Sequence, residues 1–349
     1  MPIRVLIVDD SVLFRTKMQL SLGEDRELLV VGCAANADEA MRLILDKNPD
    51  VVTLDVEMPQ SNGIEFLKKL LPRRAVPVVV VSALPMNALD ALDAGAVEFV
   101  RKPDIKASYA LTDFFSDLRA KIKVAAGAKV RCPAKVPAST LLSRFSAPLP
   151  QAACETVIAI GASTGGTEAI IEVVKDLPEN TPGIVIVQHM PAIFTGLYAQ
   201  RLDKICKMSA KEAENLDRVQ SGRILLAAGE YHLTLKKDSR GYYVESRRGP
   251  KVSGHCPSVN VLFRSVAETA RENAVGVILT GMGADGAEGL LDMHQKGCYT
   301  IGQDKDSCVV YGMPMEAYKL GAVSRQLPLD QIGTEILYQL QRSAKKCPQ

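Results

Sequence analysis

The stretch VIAIGASTGGTEAI, residues 157–170, sets the reading of the chain. A short run of Val, Ile and Ala meets a cluster of small residues and glycines, and an amphipathic segment follows. Apolar runs of this length read as strands buried on both faces, and such strands belong to parallel sheets covered by helices. The stretch is therefore a strand, a tight turn and a helix. Ser163 stands in the turn between Gly161 and Gly165. Three physical readings compete for it: a nucleophile on a sharp elbow, a loop that cradles phosphate, or an inert turn that packs well.

The same rhythm continues on both sides. Residues 183–189 (GIVIVQH), 222–228 (GRILLAA) and 274–281 (AVGVILTG) read as further parallel strands. YHLTLKK and YYVESRR flank DSRG within residues 231–248 and alternate apolar with polar, which predicts an antiparallel hairpin inserted in this α/β unit. Five more β-α repeats fill the amino-terminal third, with strands at residues 3–8, 28–34, 50–55, 76–83 and 96–100. Between the halves, residues 125–154 carry four prolines and four basic residues with no acid, the composition of a linker. STLLSRF within it is a candidate short helix or docking segment. The expected organisation is a domain over 1–124, a linker over 125–153 and a second domain over 154–347. Both domains are doubly wound parallel sheets, the first of flavodoxin-like type.

Composition narrows the function classes. A length of 349 residues suits two domains, and 47% apolar with 23% charged residues is ordinary for a globular protein. The net charge of +2 gives no pull toward nucleic acid, and no helix-turn-helix or basic patch points to a transcription regulator. No apolar run reaches the ~20 residues that span a bilayer, and MPIRVLIVDD is no signal peptide, so a cytoplasmic protein without direct membrane insertion is expected. The eight cysteines, Cys33, Cys132, Cys154, Cys206, Cys256, Cys298, Cys308 and Cys347, form no C-x-x-C pair and no zinc spacing. They read as reduced thiols.

In the first domain, Asp9 and Asp10 end the first strand, Asp55 the third and Ser82 the fourth, while Lys102 follows the fifth. Strand C-termini of a parallel sheet share one edge, where ligands gather. Three carboxylates there make a hard oxygen site suited to Mg²⁺, with Asp55 placed to attack a phosphoryl donor and Ser82 and Lys102 to clamp the transferred group. A helix cap would explain the two adjacent acids alone, and a solvated charge the lysine alone; the ordered set of five is harder to explain that way. Residues 1 to about 125 resemble a two-component receiver domain. The resemblance implies Asp55 as phospho-acceptor, Asp9 and Asp10 as metal ligands with the Glu57 carbonyl, Ser82 and Lys102 as switch residues, and Phe99 at the aromatic switch position.

The turn at Ser163 can now be weighed. A phosphate loop requires lysine after its last glycine, and Thr167 stands there; a dinucleotide fingerprint fails at the positions after Gly161. The pattern G-x-S-x-G over 161–165 fits a nucleophile elbow between strand and helix, although an inert turn fits it too. A serine needs a base, and the chain has four histidines. His232 falls in the hairpin and His294 in a last helical turn. His255 lies in the loop SGHCPS and stays open. His189 ends a strand on the edge that carries Ser163, which makes it the best placed. Asp285, among the glycines of LTGMGADG, is placed to accept Nδ1–H of His189, though an Asp-Gly turn alone would also explain it. The order Ser, His, Asp is not that of the α/β-hydrolases.

GASTGG, QHMP, H-x-PSV and LTGMGADG downstream of a receiver resemble the chemotaxis protein-glutamate methylesterases, the CheB-type response regulators. That resemblance implies a Ser163–His189–Asp285 triad that hydrolyses γ-glutamyl methyl esters of chemoreceptors, releases methanol and deamidates selected receptor glutamines, under control of receiver phosphorylation. It implies oxyanion or support roles for the Met282 amide and Thr164, a histidine kinase as phosphodonor, Mg²⁺ in the receiver, and no cofactor for the ester chemistry. The oligomeric state is left open, a monomer included. Asn260 stands where family members often carry Asp, a change expected to alter local hydrogen bonding and to spare the triad. Two alternatives stay open: a receiver-regulated hydrolase of another ester or amide, and a non-catalytic binding module coupled to a receiver.

Overall fold

Two parallel sheets account for most of the core. The computed structural model describes residues 1–58, 62–103, 108–130 and 156–344, and the chain divides into two units, Met1–Lys135 and Val136–Gln349. The first unit runs β1 (Ile3–Val8), α1 (Val12–Gly23), β2 (Leu28–Ala34), α2 (Ala37–Lys47), β3 (Val51–Asp55), α3 (Gly63–Leu70), β4 (Val78–Ser82), α4 (Pro85–Asp93), β5 (Glu98–Arg101) and α5 (Ser108–Ala126). Its strands pair in parallel in the order β2-β1-β3-β4-β5, as their apolar runs predict. Every residue of β3 and β4 is buried, so these strands need helices on both faces. Phe14, Met18 and Leu22 supply the buried stripe of α1, at helical spacing. Ser11, Asn36 and Asn62 cap α1, α2 and α3 with side-chain oxygens. The strand order reverses between β1 and β3, the crevice where such sheets bind ligands.

The second unit runs β6 (Val157–Ala162), α6 (Gly166–Val174), β7 (Ile184–Gln188), α7 (Ala192–Ile205), β8 (Ser209–Glu212), β9 (Arg223–Leu226), the hairpin β10 (Tyr231–Asp238) and β11 (Gly241–Arg248), α8 (Val259–Thr269), β12 (Ala274–Ile278), α9 (Ala287–Gln295), β13 (Tyr299–Gln303), α10 (Met313–Lys319), β14 (Arg325–Leu327) and α11 (Leu329–Ala344). Seven parallel strands take the order β14-β13-β12-β6-β7-β9-β8. The chain leaves β6 toward β7 and later returns to the other side at β12, so β6 is the centre of the reversal. The hairpin pairs antiparallel from Tyr231↔Arg248 to Asp238↔Gly241. Its apolar residues Leu233, Leu235 and Val244 share one core cluster with Leu262, Phe263 and Val266 of α8. The Leu235 N–H donates to Ser265 Oγ, and Thr269 Oγ1 donates back to the Leu235 carbonyl.

Three strands go beyond the sequence expectation: β8, β13 and β14. SAKE and RQL are short and polar, and YTIGQ mixes a glycine with polar residues, so none shows the apolar run of a buried strand. In β13 the interior polar groups find partners. Gln303 Oε1 accepts from the Thr280 N–H, and its Nε2 donates to the Ser307 carbonyl. At the seam, α5 continues through Ala126, two residues beyond the expected end of the first domain. Most of the expected linker, the segment STLLSRF, and Cys132, Cys154 and Cys347 lie outside the described residues. Among the described residues no helix is long and apolar enough to cross a membrane.

Candidate active site and receiver pocket

Three neighbouring strands of the second sheet carry the residues singled out around Ser163. The β6–β7 register pairs Ala162 with Gln188, so Ser163 and His189 are the next residues along the same edge. The Ser163 N–H donates to the Thr280 carbonyl, just past β12, and the Ser163 carbonyl accepts from the Gly166 N–H. The turn needs its glycines. Gly165 has φ of +74°, and a Cβ there would lie 2.6 Å from Val309 Cβ. A Cβ on Gly281 would lie 2.7 Å from Ser163 Cβ. Gln188 ties the two loops together, its buried Nε2 donating to the carbonyls of Ser163 (2.9 Å) and His189 (3.1 Å).

Asp285 is 2% exposed and lies against the N-terminus of α8. Its carboxylate accepts from Ser258 Oγ (2.8 Å) and from the N–H groups of Val259 (2.7 Å) and Asn260 (3.1 Å). Burial works to raise its pKa. The His189 hydrogen bond and charge and these other donors outweigh that and hold the carboxyl below the usual range. His189 Nε2 lies 2.8 Å from Asp285 Oδ2. The contact corrects the expected Nδ1 pairing. Asp285 belongs to the loop after β12, across β6 from β7, and the ring spans that distance with the nitrogen farther from its own backbone. An ionised carboxylate only accepts, so Nε2 carries the hydrogen of this bond, and the lone pair of the neutral ring is on Nδ1. Nδ1 is buried and has no protein partner among the described residues.

Thr164 is buried, and its carbonyl accepts from Thr280 Oγ1 (3.0 Å). Met282 is 52% exposed at the rim. Two histidines take places that the sequence did not reveal. His232 is buried, with Nδ1 accepting from the Ser258 N–H and Nε2 against the Pro250 carbonyl. His255 stacks on His189, with ring centroids 3.7 Å apart and planes 7° from parallel. Asn260 donates to Ser253 Oγ and accepts from the Gly289 N–H, while its backbone N–H holds Asp285. Its side chain thus ties the Ser253 turn to helix α9. Gln188 lies in QHMP and His255 and Ser258 in H-x-PSV, but those motifs did not give the three their contacts; a polar residue at a strand end and a helix-capping serine were the available signals.

In the first unit, Asp9, Asp10 and Asp55 bring carboxylate oxygens within 4.8 Å of one another. Lys102 Nζ donates to Asp9 Oδ2 (2.7 Å) and Asp55 Oδ2 (2.6 Å). Burial works to lower the Lys102 pKa, but these two carboxylates prevail and raise it. Burial, opposed by Lys102 and aided by the Asp55 charge, lifts Asp9 above the usual carboxylate range. The hydrogen bonds of Ser82 Oγ go to Glu57 and Leu84, outside the three carboxylates. Its Oγ lies 2.8 Å from Glu57 Oε1, which also accepts from the Leu84 N–H. The Glu57 N–H donates to Asp55 Oδ1. Phe99 is buried, its carbonyl accepting from Lys121 Nζ and its ring 5.1 Å from that ammonium.

Comparison with known proteins agrees with both halves. A CheB methylesterase family model matches residues 158–336, and a response regulator receiver domain model matches residues 5–109. A protein-glutamate methylesterase/protein-glutamine glutaminase of Syntrophomonas wolfei is 52% identical over 338 residues, covering 97% of each chain. Its counterpart in Rhodospirillum rubrum is 47% identical over 354 residues, covering 96% of this chain and 98% of the relative. The crystal structure of the Thermotoga maritima CheB methylesterase catalytic domain matches with 34% identity and a TM-score of 0.52, over 53% of this chain and 98% of that one. With the relatives aligned along nearly their full length, and a receiver fold preceding the sheet that carries Ser163, the chain belongs to the CheB methylesterase family of response regulators.

Proposed function

We propose that this protein is a phosphorylation-activated serine hydrolase that demethylates γ-glutamyl methyl esters of chemoreceptors and deamidates selected receptor glutamines. The observation that carries the chemistry is the state of His189: Nε2 bound to an ionised Asp285, Nδ1 bare and buried, one strand from Ser163. Ser163 Oγ attacks the ester carbonyl carbon and passes its proton to His189 Nδ1. The charge that develops on the carbonyl oxygen meets the Met282 N–H, with the Thr164 turn supporting the site. The tetrahedral species expels the methoxy group, which leaves as methanol with the proton from His189. Water, activated by the same histidine, then hydrolyses the acyl-enzyme to free the serine and a glutamate carboxylate. A glutamine amide follows the same route and releases ammonia.

In the receiver, Asp55 accepts the phosphoryl group from a histidine kinase. The oxygen cluster suits Mg²⁺ by charge and spacing, with Asp9, Asp10, Asp55 and the Glu57 carbonyl as its holders. The ion supplies neutralisation of phosphoryl charge when bound. Lys102 already bridges two of the carboxylates and offers the cation that a phosphoryl oxygen would take. The test is methanol release from a methylated receptor cytoplasmic fragment. Ser163→Ala is expected to abolish release while the protein stays folded, and release by that variant above a few percent of the parent rate would reject the nucleophile. Ester hydrolysis without release from receptor would favour a different ester or amide substrate.

A further inference from the structure

We infer that His255 is a positioning residue that fixes the ring plane of His189 and so aims Nδ1 at Ser163. The inference rests on the serine-hydrolase reading and adds a part to it. Asp285 grips His189 at a single edge atom, Nε2. Histidine χ2 is a broad torsion, so one edge bond still allows the plane to rock. A proton passes well only when the Nδ1 lone pair, which lies in the ring plane, points at the serine oxygen. His255 lies flat on the face of that ring, 3.7 Å away and 7° from parallel. A parallel face contact opposes the rocking that the edge bond permits.

The mount of His255 is built for this. Val252 and His255 exchange both backbone hydrogen bonds, at 2.9 and 3.0 Å. The two residues between them, Ser253 and Gly254, have φ of 52° and 84°, the two positive φ values of a type I′ turn. Asn260 anchors the turn through Nδ2 to Ser253 Oγ, and its own N–H holds Asp285. One helix start, that of α8, therefore carries both grips on His189: the carboxylate at its edge and, through the turn, the ring at its face. His255 also stays uncharged while its neighbour takes the proton. Burial, with the His189 charge and Lys251 added and Asp285 opposed, pushes its pKa down to about 4.

The full-length protein carries the test, with two probes that do not depend on receptor recognition: the rate of Ser163 phosphonylation by an alkyl fluorophosphonate, and hydrolysis of p-nitrophenyl acetate. His255→Ala is expected to lower the labelling rate and kcat about ten- to a hundredfold with KM unchanged, the cost of a misaimed base. His255→Phe, flat and of similar size, recovers most of the rate. His255→Leu, of similar volume but not flat, does not. Labelling of His255→Ala at the parent rate overturns the inference, and so does recovery by Leu as full as by Phe, which would mean that the residue only fills space. Failure of Phe to recover any rate overturns it too, because a ring nitrogen would then be required. If the Ala variant does not fold, the Phe and Leu pair still decides. A parent protein that is labelled at Ser163 yet leaves methylated receptor untouched would reject the receptor substrate and leave this inference standing; a parent not labelled at all would reject both.

Discussion

Asp285 shows how much one residue depends on its donors. Its carboxylate receives a serine hydroxyl, two helix N-terminal N–H groups and the His189 N–H. Asp285→Asn keeps the shape but presents an NH₂ group to donors that need an acceptor. Its carbonyl can serve only part of that set, and His189 is driven toward the wrong tautomer. The expected loss in kcat is about 10³- to 10⁴-fold, read in methanol release, and a variant within tenfold of the parent would deny the orienting role. His255 gives a pH prediction of the opposite kind. Its pKa falls from 6.5 to about 4 in the folded protein, through burial first and the His189 charge second, with Lys251 adding and Asp285 opposing. The unfolded chain takes the proton as pH drops through 6.5, while the folded chain resists until about 4. Its contribution to stability is therefore complete above 6.5 and is lost as pH falls through that window. His255→Phe should lose less melting temperature than the parent between pH 7 and pH 5; equal losses would show that His255 does not titrate this way. Ser163, His189 and Asp285 were legible because each follows a strand or a glycine-rich loop with a recognisable pattern. The nitrogen facing Asp285 and the stack of His255 were not, since both depend on how distant loops meet in space.

Among the elements, the tight pairing of β6 with α8 is the most constrained. A Cβ on Gly161 would stand 2.2 Å from Val259 Cγ1 and 3.2 Å from Phe263 Cζ. Val259 also opens α8, whose N–H groups hold Asp285, so pressure at Gly161 is transmitted to the acid. Gly161→Ala is expected to destabilise the second unit by about 1–3 kcal/mol, the range for overpacking, and to lower activity as well. Val259→Ala in the same chain should return part of the melting temperature by making room. A Gly161→Ala protein that melts with the parent would mean that α8 yields freely. The pattern G-x-S-x-G thus has two physical sources in this fold: Gly165 for its left-handed backbone, Gly161 for the helix that crosses it. The strands with unbroken Val and Ile runs were readable because burial on both faces leaves no polar position. β8, β13 and β14 were not, because the short edge strands β8 and β14 keep polar residues, and β13 satisfies its buried Thr300 and Gln303 through Ser324, Thr280 and Ser307, all outside the strand.

At the scale of the whole molecule, the question is how Asp55 speaks to Ser163. The receiver holds Lys102 between Asp9 and Asp55, and Ser82 against Glu57 and the Leu84 carbonyl. A phosphoryl group on Asp55 adds about −1.5 to −2 of charge at neutral pH and three acceptor oxygens. It competes with Asp9 for Lys102 and with Glu57 for the Ser82 hydroxyl. Ser82 ends β4, and Leu84 precedes α4, so moving Ser82 changes the start of that helix. A coupling of ~1–3 kcal/mol between the two units is enough to alter activity about 5- to 150-fold. Full-length protein treated with acetyl phosphate and Mg²⁺ should therefore release methanol faster, and Asp55→Ala should not respond. The T. maritima catalytic domain is known as a separate crystal structure, so the corresponding unit here, residues 154–349, is a reasonable fragment to express. It is expected to outpace the unphosphorylated full chain if the unphosphorylated receiver restrains the catalytic unit. A fragment no faster than the untreated full chain would turn the mechanism round, with the phosphorylated receiver supplying activation that the catalytic unit lacks alone.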